Sequence, residues 1–257
     1  MLTDAALAQR WLAQIAPLVR RLPAAADGAI GARLRRPGCV LFEGAQGVLL
    51  DEWRGFHPHT TWSSTTPAAA EAVAREAGQS AAMEHLGVLR TYLTRHGAGP
   101  LPTDVVRLDL LTEPHNGADG WQGVFRRGHP DALLLRYALT VAGPFSGLLL
   151  SHLDVFQRER ALRWCEAYEV ESGGRSGADG GVAAGVIGAL VAGAAGDLDH
   201  QARLTQLLAA ARPRYAARAI GSAARCIDDL ETRAALPVRF AARGPTHADV
   251  ARLGAPW

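Results

Sequence analysis

The sequence predicts an α/β fold: a mostly parallel central sheet flanked by helices. Short apolar runs alternate with stretches of helical periodicity along most of the chain. Three of those runs end in polar turns, EGAQG at 43–47, SHLD at 151–154 and ARGPT at 242–246. Ligand loops occupy that position at the carboxyl ends of parallel strands. At 257 residues, 48% hydrophobic and 20% charged, the chain is also long and apolar enough for a full core.

The elements follow in order. Residues 3–36 carry Ala5, Leu7, Ala8, Trp11, Leu12, Ile15 and Leu18 at helical spacing, with Thr3 or Asp4 as the cap. Cys39–Phe42 is a short apolar run ending in a Gly turn, the pattern of a buried strand. Residues 67–87 read as helix, opening on Pro67. Val88–Arg95 alternates as a strand and is closed by GAGPLP at 97–102. Asp131–Ala142 reads as helix, Gly147–Leu150 as a buried strand and Arg163–Glu169 as an alternating one. The Gly- and Ala-rich stretch 172–196 is expected as a mobile insertion within one domain spanning 1–257. Residues 198–233 read as helix with a break near Pro213, and Pro237–Ala241 as the last strand.

Composition narrows the function. No run of about 18 uncharged apolar residues exists, and Gly180–Gly196 is too weakly apolar to span a bilayer. Asp4 and Arg10 bracket an amphipathic N-terminus unlike a signal peptide, so a cytoplasmic protein is expected. A net charge of +2 gives no electrostatic case for nucleic acid. Cys39, Cys165 and Cys226 lack metal-ligand spacing, and His57-Pro-His59 has no third ligand nearby. All 27 basic residues are Arg, so neither a G-x-x-x-x-G-K-[ST] phosphate loop nor Schiff-base chemistry is available.

Four motifs offer chemistry. In EGAQG, Gln46 presents a carboxamide that donates and accepts, although the segment also fits a plain turn. The hydroxyls of Thr60, Thr61, Ser63, Ser64, Thr65 and Thr66 suit either an anion at a helix N-terminus near Pro67 or capping. Asp154 has the two acceptors that match the paired N–H donors of a guanine edge, and equally suits a strand-end cap. Arg126 and Arg127 suit a phosphate clamp or a solvated pair.

Six stretches together resemble the adenylosuccinate synthetase family, enzymes that join aspartate to IMP using GTP. They are EGAQGVLLD (43–51), G-x-x-P-x-x-T with its hydroxyl run (55–66), TRHGAGPLPTD (94–104), RRGHPDALLLRYAL (126–139), SGLLLSHLDVF (146–156) and LPVRFAARGPT (236–246). They are collinear across 39–250, with a divergent 172–215. The resemblance implies a shortened fold related to the P-loop NTPases. It implies IMP contacts at Gln46 and Thr61, the latter at the 5′-phosphate, with Trp62 placed to crowd that pocket. It implies a GTP site at Asp154, Gly244 and Pro245, with His152 where the family has lysine. The 119–127 segment, with Arg126 and Arg127, corresponds to the aspartate loop.

GTP and Mg²⁺ are the implied cofactors. The family's phosphate loop, aspartate base and histidine acid lie upstream of the matching stretches, so the resemblance assigns no catalytic residue and no Mg²⁺ ligand here. IMP and GTP or GDP are the implied small-molecule partners, together with a homodimer mate or a partner chain bearing the phosphate loop. The alternatives are an inactive or repurposed purine-nucleotide-binding paralogue and a distinct ligase in a specialised pathway.

Overall fold

The computed structural model describes residues 4–22, 25–79, 82–105, 108, 110, 111, 113, 116, 120–171 and 185–254. The chain packs as two compact units, Met1–Phe42 with Glu71–Ala81, and Glu43–Ala70 with Ala82–Trp257.

In the first unit Asp4 caps α1 (Ala5–Arg21), its side chain accepting the Ala6 N–H at 2.9 Å. The helix expected over 3–36 is in fact two. A second, α2 (Ala29–Leu34), starts afresh after Gly28, whose φ of +79° is a left-handed conformation incompatible with a continuing helix. Arg35 donates to the Ala77 carbonyl at 3.0 Å and Gln79 to the Leu34 carbonyl at 3.3 Å. These bonds tie the end of α2 to the residues that follow α3 (Pro67–Glu76). Expected to run to 87, α3 stops at Glu76, just before Gly78 turns left-handed at φ +75°.

Cys39–Phe42 is not a buried strand. It pairs with no strand among the described residues, and Leu41 is 89% exposed. An apolar run becomes a strand only where a neighbouring ladder accepts its backbone.

The second unit holds nine strands among the described residues: β1 (Leu86–Arg90), β2 (Leu93–His96), β3 (Phe125–Gly128), β4 (Gly147–Ser151), β5 (Cys165–Val170), β6 (Gly185–Ile187), β7 (Ala211–Tyr215), β8 (Val238–Ala242) and β9 (Val250–Arg252). Its further helices are α4 (Ala132–Ala142), α5 (Leu198–Ala210) and α6 (Ala223–Ala234). The central sheet runs β1-β4-β8-β9; the first three strands are parallel and β9 returns antiparallel. This is the expected α/β sheet with mostly parallel strands.

Elsewhere the chain departs from expectation. The strand foreseen over Val88–Arg95 splits at Thr91–Tyr92, and β2 leaves to pair antiparallel with β3. Arg126 and Arg127 therefore stand in a strand. The helix foreseen over 198–233 is interrupted by β7, which contains Pro213. Proline has no N–H for a ladder, and β7 tolerates it as an edge of the β6-β5-β7 sheet. Of the stretch 172–196, residues 172–184 lie outside the described residues, while Gly185–Ile187 forms β6. Just beyond β6, Arg136 and Arg54 donate to the Gly188 and Gly193 carbonyls, each at 2.8 Å. Among the described residues no helix is long and apolar enough to cross a membrane.

α4 sits between two apolar clusters, which is why its sequence ALLLRYALTVA is apolar on nearly every side. Ala132 and Leu135 join Leu148, Leu150, Trp164 and Val238, while Leu133, Leu134 and Tyr137 join Phe56, Tyr168, Leu204 and Leu208. Asp131 starts this helix while only 2% exposed. One carboxylate oxygen accepts the Leu133 and Leu134 N–H groups at 2.9 and 3.0 Å, and the other accepts the Tyr168 hydroxyl at 2.6 Å.

Asp131→Ala removes the cap and orphans a buried hydroxyl, so it is expected to cost about 3 kcal/mol in urea unfolding. Asp131→Asn keeps the capping oxygen and is expected to cost clearly less; equal losses would refute the capping role.

Candidate functional site

The carboxyl ends of β1, β4 and β8 share one edge, because parallel register sets Arg90 beside Ser151 and Leu150 beside Ala241. From β4 the chain leaves through His152, held at φ +62°, into a 3-10 turn over Leu153–Gln157. The Thr91 hydroxyl donates to the His152 carbonyl at 2.7 Å, and Ser151 Oγ donates to the Leu89 carbonyl at 3.0 Å. Ser151 Oγ also lies 2.9 Å from His152 Nδ1, and the imidazole meets Tyr92 edge-on at 5.7 Å. Burial, aided by the Arg90 charge, lowers the His152 pKa, which keeps the ring neutral at physiological pH.

From β8 the chain enters a loop that Asp249 holds shut. The Asp249 carboxylate accepts the Thr246 N–H at 2.9 Å and the Thr246 hydroxyl at 2.6 Å, while its carbonyl accepts the Arg243 N–H at 3.0 Å. A Cβ on Gly244 would stand 2.6 Å from the Asp249 carboxyl carbon, so a side chain there would displace the carboxylate that holds the loop. Between the two exits lies a cleft of about 250 Å³ lined by Asp154, Phe156, Gln157, Arg160, Ser222 and Arg243, among others. The structure thus brings Asp154 and the β8 loop to one place. Gly244 and Pro245 belong to that loop but do not line the cleft.

The opening loop is organised by Asp51, which is 1% exposed. Its Oδ1 accepts the Trp53 and Arg54 N–H groups, each at 2.9 Å, and its Oδ2 accepts the Thr65 N–H at 2.7 Å. Inside this wrap Thr61 N–H donates to the Leu50 carbonyl at 2.8 Å, and Thr65 Oγ1 to the Gly47 carbonyl at 3.0 Å. Gln46 is exposed at the mouth with φ +69°. From outside, Tyr137 donates to the Arg54 carbonyl and Thr205 to the His57 carbonyl, both at 2.7 Å. Gln46 and Thr61 therefore project from one braced loop. Trp62 is 98% exposed, so its ring stands in solvent rather than crowding Thr61.

Arg126 and Arg127 are engaged by the protein itself. Arg126 donates to the Gly97 carbonyl at 3.2 Å and the Gly99 carbonyl at 2.5 Å, and Arg127 to the Leu111 carbonyl at 3.0 Å. Arg126 braces the GAGPLP turn, and Arg127 holds the segment at Leu111. A polar network absent from sequence reasoning lies beyond β1. There Glu113 accepts from Arg90 at 2.7 Å, from the buried Tyr92 hydroxyl at 3.0 Å and from Asn116 at 2.7 Å. No periodicity or motif marks Glu113, so the sequence held no signal for it. Burial opposes its ionisation, but the bond and charge of Arg90, with Tyr92 and Asn116, hold its pKa below the ordinary 4.5. Among the described residues no three His, Cys, Asp or Glu side chains converge as a metal site.

The family model described as Adenylosuccinate synthetase matches residues 4–181. Adenylosuccinate synthetase of Myxococcus xanthus is 37% identical over 145 residues, 55% of this chain and 33% of that protein. That of Desulfovibrio desulfuricans is 38% identical over 139 residues, 52% of this chain and 32% of the relative. The matched stretch thus spans about a third of the length of these relatives. The structure of fully ligated adenylosuccinate synthetase from Plasmodium falciparum matches with a TM-score of 0.56 and 19% identity, covering 82% of this chain and 49% of that one. At that identity the match establishes the fold alone.

Asp51→Asn turns an acceptor of the Thr65 N–H into a donor and is expected to cost about 2 kcal/mol. Amide exchange should quicken at Trp53, Arg54 and Thr65 while β4 and β8 stay protected; unchanged exchange at those three amides would remove Asp51 as the anchor. The depressed Glu113 pKa stabilises the fold above the ordinary glutamate range, and that stability is lost as pH falls through the folded value. Urea midpoints measured from neutral to about pH 3 should therefore fall less steeply in Glu113→Gln than in the wild type.

Proposed function

Because this chain belongs to the adenylosuccinate synthetase family, we propose that it carries the base-recognising portion of a GTP-dependent ligase joining aspartate to IMP. The observation that carries this is the cleft where Asp154 meets the β8 loop at the carboxyl edge of neighbouring parallel strands. Asp154 accepts the N1–H and N2–H of guanine, and the loop of Gly244 and Pro245 packs on the base. His152, neutral and tied to Ser151, borders that subsite. Gln46 meets the IMP base, and the Thr61 hydroxyl donates to its 5′-phosphate. Braced by Asp51, the second pair reaches its ligand with little ordering cost.

In the family reaction the purine 6-oxygen attacks the γ-phosphate of GTP, and the aspartate amine then displaces phosphate. That chemistry requires a positioned base and a cation across the phosphates. The sequence contains no lysine, and the described residues offer no cluster of His, Cys, Asp or Glu suited to Mg²⁺. We assign this chain binding and orientation of the two purines, and phosphoryl activation to another polypeptide segment. The engagement of Arg126 and Arg127 by carbonyls favours a second role, a paralogue that binds purine nucleotides without transfer.

Calorimetric titration with GDP and with IMP tests the assignment. Asp154→Ala is expected to weaken GDP about tenfold or more while sparing IMP, and Gln46→Ala the reverse. Folded protein that gives heat with neither nucleotide would refute it. GTP-dependent product on adding a polypeptide that bears the phosphate loop would favour the ligase over the binding paralogue.

A further inference from the structure

No residue of α1 is buried, although the helix is sharply two-sided. At about 100° per residue, Leu7, Trp11, Leu12, Leu18, Val19 and the capping Leu22 fall on one stripe. Trp11 is nevertheless 58% exposed, Val19 63% and Leu22 70%. Gln9, Arg10, Arg20 and Arg21 occupy the other side. Pro17 falls there too, so the Ala13 carbonyl that loses its helical N–H meets water rather than the apolar stripe. A stripe of this kind ordinarily turns towards a core, and left exposed it marks an interaction surface.

The charge around the stripe has one sign. Within α1 the ionisable residues are Arg10, Arg20 and Arg21, with no carboxylate among them. Residues 1–42 hold six of the 27 basic and two of the 25 acidic residues, whereas the remainder of the chain is net negative. A second copy laid on this face would set arginine against arginine, with no acid on α1 to offset the repulsion. A nucleic acid would engage the arginines and leave Trp11 and the aliphatic side chains in water. An anionic lipid surface satisfies both halves of the helix. The acyl boundary receives the apolar stripe, indole suits the headgroup level, and arginine stems run along the helix to place their guanidinium groups on phosphate.

We propose that α1 lies in the plane of an anionic lipid surface, with its Trp11 stripe at the acyl boundary and its arginines on the headgroup phosphates. The helix rests on the bilayer and does not cross it, in keeping with its 17 residues and its polar side. The attachment is reversible and weakens with salt, because the arginines supply its long-range attraction. Its residues belong to the first unit, whereas Asp154 and Gln46 belong to the second, so lipid binding does not rest on the purine assignment.

The test floats the full chain with phosphatidylcholine vesicles, pure or containing roughly a third phosphatidylserine. Wild type is compared with two double variants, Trp11→Gln with Leu18→Gln and Arg20→Gln with Arg21→Gln. All four side chains are exposed, so urea midpoints should match the wild type and confirm the fold. Wild type is expected on the anionic vesicles at low salt and off them at high salt, each variant binding about tenfold more weakly or less. Folded wild type that ignores anionic vesicles, or binding that neither variant weakens, overturns the proposal. Equal binding to pure phosphatidylcholine overturns it too, since the arginines would then have no part. Without flotation, a concentration-dependent dimer dissolved by Trp11→Gln with Leu18→Gln gives the stripe to a second copy, and oligonucleotide binding lost in Arg20→Gln with Arg21→Gln gives the arginines to nucleic acid; either overturns the lipid surface.

Discussion

The parallel pairing of β4 between β1 and β8 is the constraint on which the rest depends. Parallel strands deliver their carboxyl ends to one edge, so segments far apart in sequence leave the sheet side by side. Thr91, His152 and Arg243 become neighbours of a common rim for that reason alone. The pairing is secured on one face of β4, where Leu148 and Leu150 are almost wholly buried in the same apolar cluster. Two glycines permit the close approach: a Cβ on Gly87 would strike Leu148, and one on Gly147 would strike Arg239. Asp131 then starts α4 at a fixed point, so that the crossover into β4 lands in register.

What the sheet does for strand ends, buried polar side chains do for the loops. The 47–65 loop has no ladder to satisfy its N–H groups, and Asp51 takes three of them on one carboxylate. The complementary carbonyls are met largely by arginine. Arg54, Arg95, Arg126, Arg127 and Arg136 all donate to main-chain oxygens of irregular segments. A planar fork with five donors suits that work, since one side chain reaches carbonyls on two segments at once, as Arg95 does with Ala98 and His59. The arginine-only composition thus has a structural outlet that lysine, a point donor, would fill less well.

Most of what was legible in the sequence lay where one local signal agreed with the tertiary outcome. α4, β4 and β8 were visible because each is apolar on the faces it buries, with Asp131 as a cap and polar turns at the strand ends. The Asp154 cleft was legible as two separate motifs, and only the parallel register shows that they meet. Cys39–Phe42 misled because apolar content reports a wish for burial, not the presence of a partner strand. β7 was hidden by its arginines and Pro213, which an edge strand accepts and a central one would reject. Arg126 read as a loop residue because charge in a short strand looks like turn chemistry, whereas its guanidinium goes to the Gly97 and Gly99 carbonyls. Asp51 and Glu113 carried no signal, since a carboxylate that binds scattered N–H groups and side chains has no sequence period.

The family reaction asks two different things of the groups that carry it out. Groups that grip purine edges and a 5′-phosphate act on parts of the substrates that scarcely change between ground and transition state, so they supply affinity and alignment. Groups that act on the transferring phosphoryl must meet charge that moves during the step, and they supply rate. The first kind is satisfied by rigid strand ends and a braced loop, the positions at which Asp154 and Thr61 stand in this chain. The second needs a base and a cation placed within hydrogen-bonding reach of the reacting atoms. Affinity and acceleration can therefore reside on different segments, provided that both are brought to the same carboxyl edge.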